Sequence, residues 1–302
     1  MVTPSVRPAA TADSPTRGAK GAVALPPGSW RHLRFTGVTL EVPRGAAGAP
    51  RRRWWKLRGT SGAPRSLPAP PGAGTAAPGG LVRILDEVDL TIDLKGVTVV
   101  VGASGSGKSS LLRIANRLSA PTAGAVTLDG VDLASVDPLE LRRRVGMMFQ
   151  TPVLFAGSVA DNLAVATRDL DRRAATRALE RCGLDPGLLD READQLSGGE
   201  AQRMCTARTL LTDPRVVLMD EVTSALDPAA RTHTEALARQ LANEGIAVVW
   251  VTHDLDQARR LGDRIVVLDA GRVLTGVAAE AHLTGGPAAG SDVPPAHGDG
   301  GA

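Results

Sequence analysis

GVTVVVGASGSGKSS, residues 96–110, reads as a buried strand that runs into a glycine-rich turn and out into a helix. Four valines in residues 97–101 suit a strand covered on both faces, and SSLLRIANRL after the turn has helical spacing. Between them, Gly102 to Ser109 fits G-x-x-x-x-G-K-[ST], in the strand-to-helix context that this motif requires. Glycines at 102, 105 and 107 let the backbone N–H groups of Gly102, Ala103, Ser104, Gly105, Ser106 and Gly107 turn inward around a phosphate. The helix beginning at Lys108, Ser109 and Ser110 adds positive potential at its N-terminus. Lys108 is then placed to reach the β and γ phosphates, and the Ser109 hydroxyl to ligate Mg2+. The weaker alternative is a glycine-rich turn that binds nothing.

Downstream, RVVLMDE (215–221) supplies the complementary chemistry. Val216 to Met219 are apolar and predict a buried strand, so Asp220 emerges at its carboxyl end, where open α/β sheets bind ligands. A carboxylate there can hold Mg2+ through its waters. Glu221, one residue on, can polarise an attacking water, and general-base help is worth roughly 10² to 10⁴ in rate. An acidic pair after a strand is also common as a helix cap; the phosphate loop at 102 is what gives this pair weight. LSGGEAQR (196–203) has two readings as well. Ser197 with Glu200 makes a capping box ahead of a helix predicted at 201–212. Gly198 and Gly199 remove side chains where a second phosphate could approach that helix. Val-rich runs alternate with helical patterns to residue 275, which predicts an α/β domain with a mostly parallel sheet.

Residues 82–275 resemble the nucleotide-binding subunit of an ATP-binding-cassette (ABC) transporter. The resemblance rests on the phosphate loop at 102, Gln150 in MMFQTP, LSGGE at 196, LMDE at 217, SALD at 224 and His253 in VTHD, in that order. It implies a P-loop NTPase core of the ABC type, with a mostly parallel sheet, an antiparallel β subdomain and a small helical subdomain at 151–195. It also implies ATP and Mg2+ as cofactors, with Ser109, Gln150 and Asp220 around the metal and Glu221 and His253 in catalysis. A homodimer packed head to tail would set Ser197, Gly198, Gly199 and Glu200 of one copy against the ATP on Lys108 of the other. Asp227 would couple the two sites. The implied partner is a multi-span permease subunit, which would hold the chain at the cytoplasmic face of the membrane.

Val222, where most relatives have proline, together with IAVVWVTHD and LFAGSVADNL, resembles ATP-binding subunits of an iron-exporter group. LLRIANRLSAPTAG and VDPLELRRRVGMMFQ suit that group and phosphate importers equally. Relatives that act on DNA or ribosomes usually carry a coiled-coil insertion, zinc-binding cysteines or a second cassette; none is read in this sequence, so nucleic acid is not the expected partner. A small-molecule kinase sharing only the phosphate loop leaves LSGGE unexplained.

The remaining segments carry the charge. Residues 1–80 hold twelve Arg and Lys against Asp13 and Glu41, a net of +10, whereas the whole chain is +3, so the other 222 residues sit at −7. Residues 1–30 and 285–302 are rich in Ala, Gly and Pro and read as disordered tails around a domain at 31–284. Residues 43–80 read as a flexible basic insertion: 15 of its 38 residues are Pro or Gly and seven are Arg or Lys. It holds Trp54 and Trp55 in RRRWWKLR, although the chain is only 2% aromatic. Three readings stay open there: a plain linker, contact with anionic lipid, or stacking on adenine in place of the aromatic residue that the resemblance implies at the end of the first strand, where this chain has Val42. No apolar run approaches the roughly 18 residues needed to span a bilayer, and no secretion signal is read. Cys182 and Cys205 lack metal-ligand spacing and read as two small core residues.

Overall fold

A computed structural model describes residues 23–26, 28–44, 80–167, 169–224 and 226–284. Most of the N-terminal tail, the heart of the insertion with Trp54 and Trp55, and the tail from 285 lie outside the described residues, and the expectations for them stand as expectations.

The valine run that precedes the glycine turn is the middle of the molecule. It forms β3 (Val97–Val101), every residue buried, in a six-stranded sheet with β6 (Val145–Met148), β7 (Val216–Asp220), β8 (Ala247–Thr252), β9 (Arg264–Asp269) and β10 (Arg272–Leu274). The order is β10-β9-β3-β8-β7-β6. All pairs are parallel except β9 with β10, so the sheet is mostly parallel, as expected. Register aligns Val101 with Thr252, Asp220 with Val251 and Met148 with Met219. The chain therefore leaves β3 at Gly102, β7 at Glu221, β8 at His253 and β6 just before Gln150, all at one end of the sheet.

Alternation divides each strand between two cores, because successive side chains point to opposite faces. Val100, Leu218, Val249 and Val251 face Leu111, Leu112 and Ile114 of α1 (Lys108–Ala115). Val97, Val99, Val101, Val217, Met219 and Trp250 face the other way. There they meet α5 (Gly198–Leu210) through Met204 and Ala207, and α6 (Pro228–Asn243) through Leu237 and Leu241. Coverage on both faces is what a nearly unbroken apolar strand requires.

A second, four-stranded sheet caps the α1 side: β1 (His32–Pro43), β2 (Leu81–Asp93), β4 (Ala123–Leu128) and β5 (Val131–Asp132), in the order β2-β1-β4-β5, with every pair antiparallel. This is the antiparallel sheet that the resemblance implied. Leu33, Phe35 and Val38 of β1 are its buried face. β1 and β2 form one hairpin, with Pro43 opposite Leu81 and the Arg44 N–H donating to the Gly80 carbonyl at 3.1 Å.

Helix α2 (Pro138–Arg144) leads into β6, and between β6 and α5 lie α3 (Val159–Ala164) and α4 (Arg172–Arg181). Val159, Leu163, Ala175, Leu179 and Cys182 pack α3 and α4 onto α5. Asn162 is fully buried and pins the preceding loop. Its Oδ1 accepts from the Phe155 N–H at 2.9 Å and from Arg208 at 3.2 Å, while Nδ2 donates to the Phe155 and Ser158 carbonyls, both at 3.0 Å. Burial pushes the Cys182 thiol up to about 12, so it stays protonated in the core; Cys205 is only half-buried, with its thiol 3.5 Å from the Val153 carbonyl.

Two expectations need correction. The tail read as disordered to residue 30 is held against the domain at Val23, Leu25 and Trp30, while Ala24, Gly28 and Ser29 are exposed. Val23 bridges Val136, and Trp30 is 7% exposed, with its Nε1 donating to the Pro26 carbonyl at 2.9 Å and Arg215 over its ring at 5.4 Å. Low-complexity composition hid one large aromatic with a place to go. The helix expected at 201–212 starts three residues earlier, because the two glycines take its first turn rather than the loop. No helix among the described residues is long and apolar enough to cross a membrane.

Candidate functional site

The glycine turn is shaped by close approach. A Cβ on Gly102 would sit 2.0 Å from the Leu268 carbonyl oxygen, and one on Gly107 2.8 Å from that of Ile84. Gly107 also holds φ +101°, which L side chains resist. No side chain caps α1 behind it, so the first-turn N–H groups face the loop interior without a side-chain acceptor. The Ser106 hydroxyl is buried with no partner among the described residues. A cradle of unmet donors suits an anion.

Charged groups converge on that cradle from the ends of β3, β7 and β8. Lys108 is buried, and its Nζ donates to the Gly102 and Ala103 carbonyls, both at 2.8 Å. Ser109 Oγ donates to Asp220 Oδ1 at 2.6 Å. Burial pushes the Asp220 carboxyl up, with the Ser109 hydroxyl and the Arg113 charge pulling the other way. Burial also pushes the Lys108 ammonium down, opposed by Glu221 and Asp220. Each charge is thus short of counter-charge where it sits. A divalent cation beside Ser109 and Asp220, and a polyphosphate against Lys108, would supply both deficits, so these residues fit ATP with Mg2+.

Glu221 stands between the other two groups. Its Oε1 is 3.9 Å from Lys108 Nζ and its Oε2 is 3.5 Å from His253 Nδ1. Its φ of +47° is unusual for a side chain of this size and costs of order 1 kcal/mol. Although it directly follows a buried strand, His253 has a side chain that is 60% exposed, because the chain has already turned away from β8. Gln150 is exposed, and its Nε2 donates to Ser224 Oγ at 3.4 Å, which ties the loop after β6 to the turn after Glu221. Ser104, Gly105 and Ser110 complete the loop and the start of α1, and a Cβ on Gly105 would meet nothing within 4 Å.

The glycine pair at 198–199 lies elsewhere. Ser197 caps α5: its hydroxyl accepts from the Glu200 N–H at 3.3 Å, and Glu200 Oε2 accepts from the Ser197 N–H at 2.8 Å, the expected reciprocal box. Hydrogen bonding from the Ser197 hydroxyl first, then from the Ser197 N–H, holds the Glu200 carboxyl below its ordinary value. A Cβ on Gly198 would meet nothing within 4 Å. Among the described residues no hydrogen bond or ion pair joins Ser197–Glu200 to the phosphate loop. Asp227 caps α6, accepting from the Ala230 N–H at 2.9 Å.

Sequence reasoning missed a cavity of about 140 Å3 behind Glu221 and His253, lined also by Thr223, Arg231, Asp254 and Gln257. A signal for it exists: Gln257 shares the inner face of α7 (Leu255–Leu261) with Ala258 and Leu261, a polar residue at an apolar spacing.

Comparison with known proteins bears on the family and the fold. The family model described as ABC transporter matches residues 85–224. Protein STAR1 of Oryza sativa subsp. japonica is 46% identical over 198 residues, which is 64% of this chain and 57% of that protein. The chain thus spans little more than half the length of that relative. Energy-coupling factor transporter ATP-binding protein EcfA2 of Symbiobacterium thermophilum is 40% identical over 202 residues, 63% of this chain and 70% of that protein. Among solved structures, the dimeric structure of MJ0796, a bacterial ABC transporter cassette, superimposes with a TM-score of 0.62 at 27% identity, covering 80% of this chain and 97% of that one. With the phosphate loop, the buried acidic strand end and the two-sheet architecture all in place, the chain belongs to the ABC transporter family, as an ATP-binding domain.

Proposed function

We propose that this chain binds and hydrolyses MgATP as the subunit that powers a membrane transporter. The observation that carries the reading is the convergence of Lys108, the Ser109–Asp220 pair, Glu221 and His253 at one end of the parallel sheet. The loop N–H groups and Lys108 bind the phosphates; Ser109 and Asp220, joined by Gln150, would hold Mg2+. Bound there, the metal ion would neutralise phosphate charge. Glu221 accepts the proton of the attacking water, and His253 orients that carboxylate and the terminal phosphate. Gly198 and Gly199 of a second copy, with Ser197 and Glu200, complete each site across a homodimer, and Asp227 couples the two.

A groove of about 330 Å3, lined by Phe149, Phe155, Val165 and Arg208 among others, supports a docked membrane partner. Phe155 is 47% exposed there, under the Arg208 guanidinium at 4.8 Å. A multi-span permease seated on it would hold the chain at the cytoplasmic face. The transported solute is read from the resemblance alone: iron export from Val222 and its neighbours, phosphate import as the second reading. The name of one relative, an energy-coupling factor transporter protein, does not favour the exporter.

Hydrolysis of MgATP by the purified chain tests the reading. Glu221→Gln should keep nucleotide binding and lose at least about 10² in rate, whereas Lys108→Ala should lose binding. Equal rates in Glu221→Gln and wild type would remove Glu221 as the base. Co-purification with a multi-span membrane protein, set against retention on nucleic acid, tests the partner.

A further inference from the structure

Gln257 is 2% exposed, and its amide is spoken for on both sides. Nε2 donates to Thr223 Oγ1 at 3.1 Å and to Glu235 Oε1 at 2.7 Å, and Oε1 accepts from Trp250 Nε1 at 3.3 Å. Its backbone N–H donates to Asp254 Oδ1 at 3.0 Å, and the Asp254 N–H donates to Thr252 Oγ1 at 3.0 Å. One side chain therefore joins β8, the first turn of α7, α6 and the turn that follows β7.

The partners are placed tellingly. Thr223 lies two residues past Glu221, in a turn closed by the Ser224 N–H on the Glu221 carbonyl at 3.1 Å. Thr252 and Asp254 flank His253, and both are tied to the start of α7. An apolar residue could fill the same space without burying an amide, so the burial of polar atoms asks for a reason. Glu221 holds a backbone angle that its surroundings must impose, and His253 is too exposed for its own packing to fix it.

We propose that Gln257 is a positioning residue that locks the Glu221 turn to the His253 loop and so sets the 3.5 Å approach of carboxylate to imidazole. The proposal rests on the ATP-hydrolysis reading above. Among the described residues Gln257 makes no hydrogen bond to Glu221 or His253 themselves; it acts through Thr223 on one side and through the first turn of α7 on the other. Glu235 anchors it from α6 and is itself held by Arg260 at 3.4 Å.

Variants of the full chain test this. Gln257→Leu removes the whole junction, and Thr223→Val removes only the bond to the Glu221 turn while keeping side-chain shape. Each should lower kcat by roughly tenfold or more, since small misplacements of reacting groups are costly, and leave KM for ATP within about twofold. The double variant should be no slower than the slower single one, because both break one connection. Gln257→Glu sets two carboxylates against each other and should be slow. Adding Glu235→Gln moves the amide donor to α6, where it can bond the carboxylate introduced on α7, and should restore kcat to within about threefold of wild type. Wild-type kcat in Thr223→Val, multiplying losses in the double variant, or a rise in KM at constant kcat would each overturn the proposal while the ATPase reading stands. Should Gln257→Leu fail to fold, Thr223→Val and the exchanged pair decide alone. A wild-type chain that does not hydrolyse MgATP overturns the ATPase reading and this proposal with it.

Discussion

Two glycine positions in this chain do opposite things. Gly107 is needed by the fold itself: its backbone angle and the Ile84 carbonyl both exclude a side chain. Gly198 is not: it has ordinary helical geometry at the first turn of α5, with open space where a Cβ would go. Folding alone gives no reason for glycine there, and a helix N-terminus favours an acid by about 0.3–1 kcal/mol. Gly198→Asp should therefore melt at or slightly above the wild-type temperature, yet lose at least about tenfold in ATP hydrolysis through repulsion of the partner site's phosphate. Unchanged hydrolysis in a well-folded Gly198→Asp would remove α5 from the site. The legibility of the residues follows the same division. Lys108, Ser109, Asp220 and Glu221 were readable because their spacing is dictated by one loop and one strand end. Gln257 was not, since its four partners lie 3, 7, 22 and 34 residues away, in segments that only the folded sheet brings together.

Among the elements, the start of β9 shows how one carboxylate sets register. Asp263 Oδ2 accepts from the Val97 N–H at 2.7 Å, at the first residue of β3, and Oδ1 accepts from Arg239 of α6 at 2.7 Å. The Val97 N–H first, then Arg239, hold this carboxyl below its ordinary value. A depressed carboxyl adds stability that is present above the unfolded value, about pH 4, and lost as pH falls through the folded one. Asp263→Asn should accordingly cost of order 1 kcal/mol near neutrality, given its partial exposure. The gap from wild type should close as denaturation is repeated below about pH 4; a gap that is constant with pH would mean that the charge contributes nothing. Strand existence was legible for β3, β7 and β8 because valine runs leave no other reading. The start of α5 was misjudged because glycine is a poor helix former, and the Ser197–Glu200 box overrides that preference.

For the molecule as a whole, the two ends of the parallel sheet have separate duties. Trp30 packs against Arg215, which precedes β7, so it sits at the end away from Asp220 and the phosphate loop. The Arg31 and His32 N–H groups continue the same tether by donating to the Asp129 carboxylate, at 3.0 and 2.8 Å. Trp30→Ala should lower unfolding stability by about 3 kcal/mol, as buried tryptophans do, with ATP affinity unchanged by calorimetry. A large loss of affinity would mean that the two ends communicate through the core. The hairpin of β1 and β2 carries a quieter consequence. Its closing rungs, Pro43 opposite Leu81 and Arg44 bonded to Gly80, bring both ends of the long basic connection together. Once chain ends are held like this, the entropy of closing the loop grows only logarithmically, about 0.6 kcal/mol for each doubling of length. Over evolutionary time the sheet can therefore host a segment of almost any length and composition there, and new sequence can be tried at that point while the nucleotide site stays as it is.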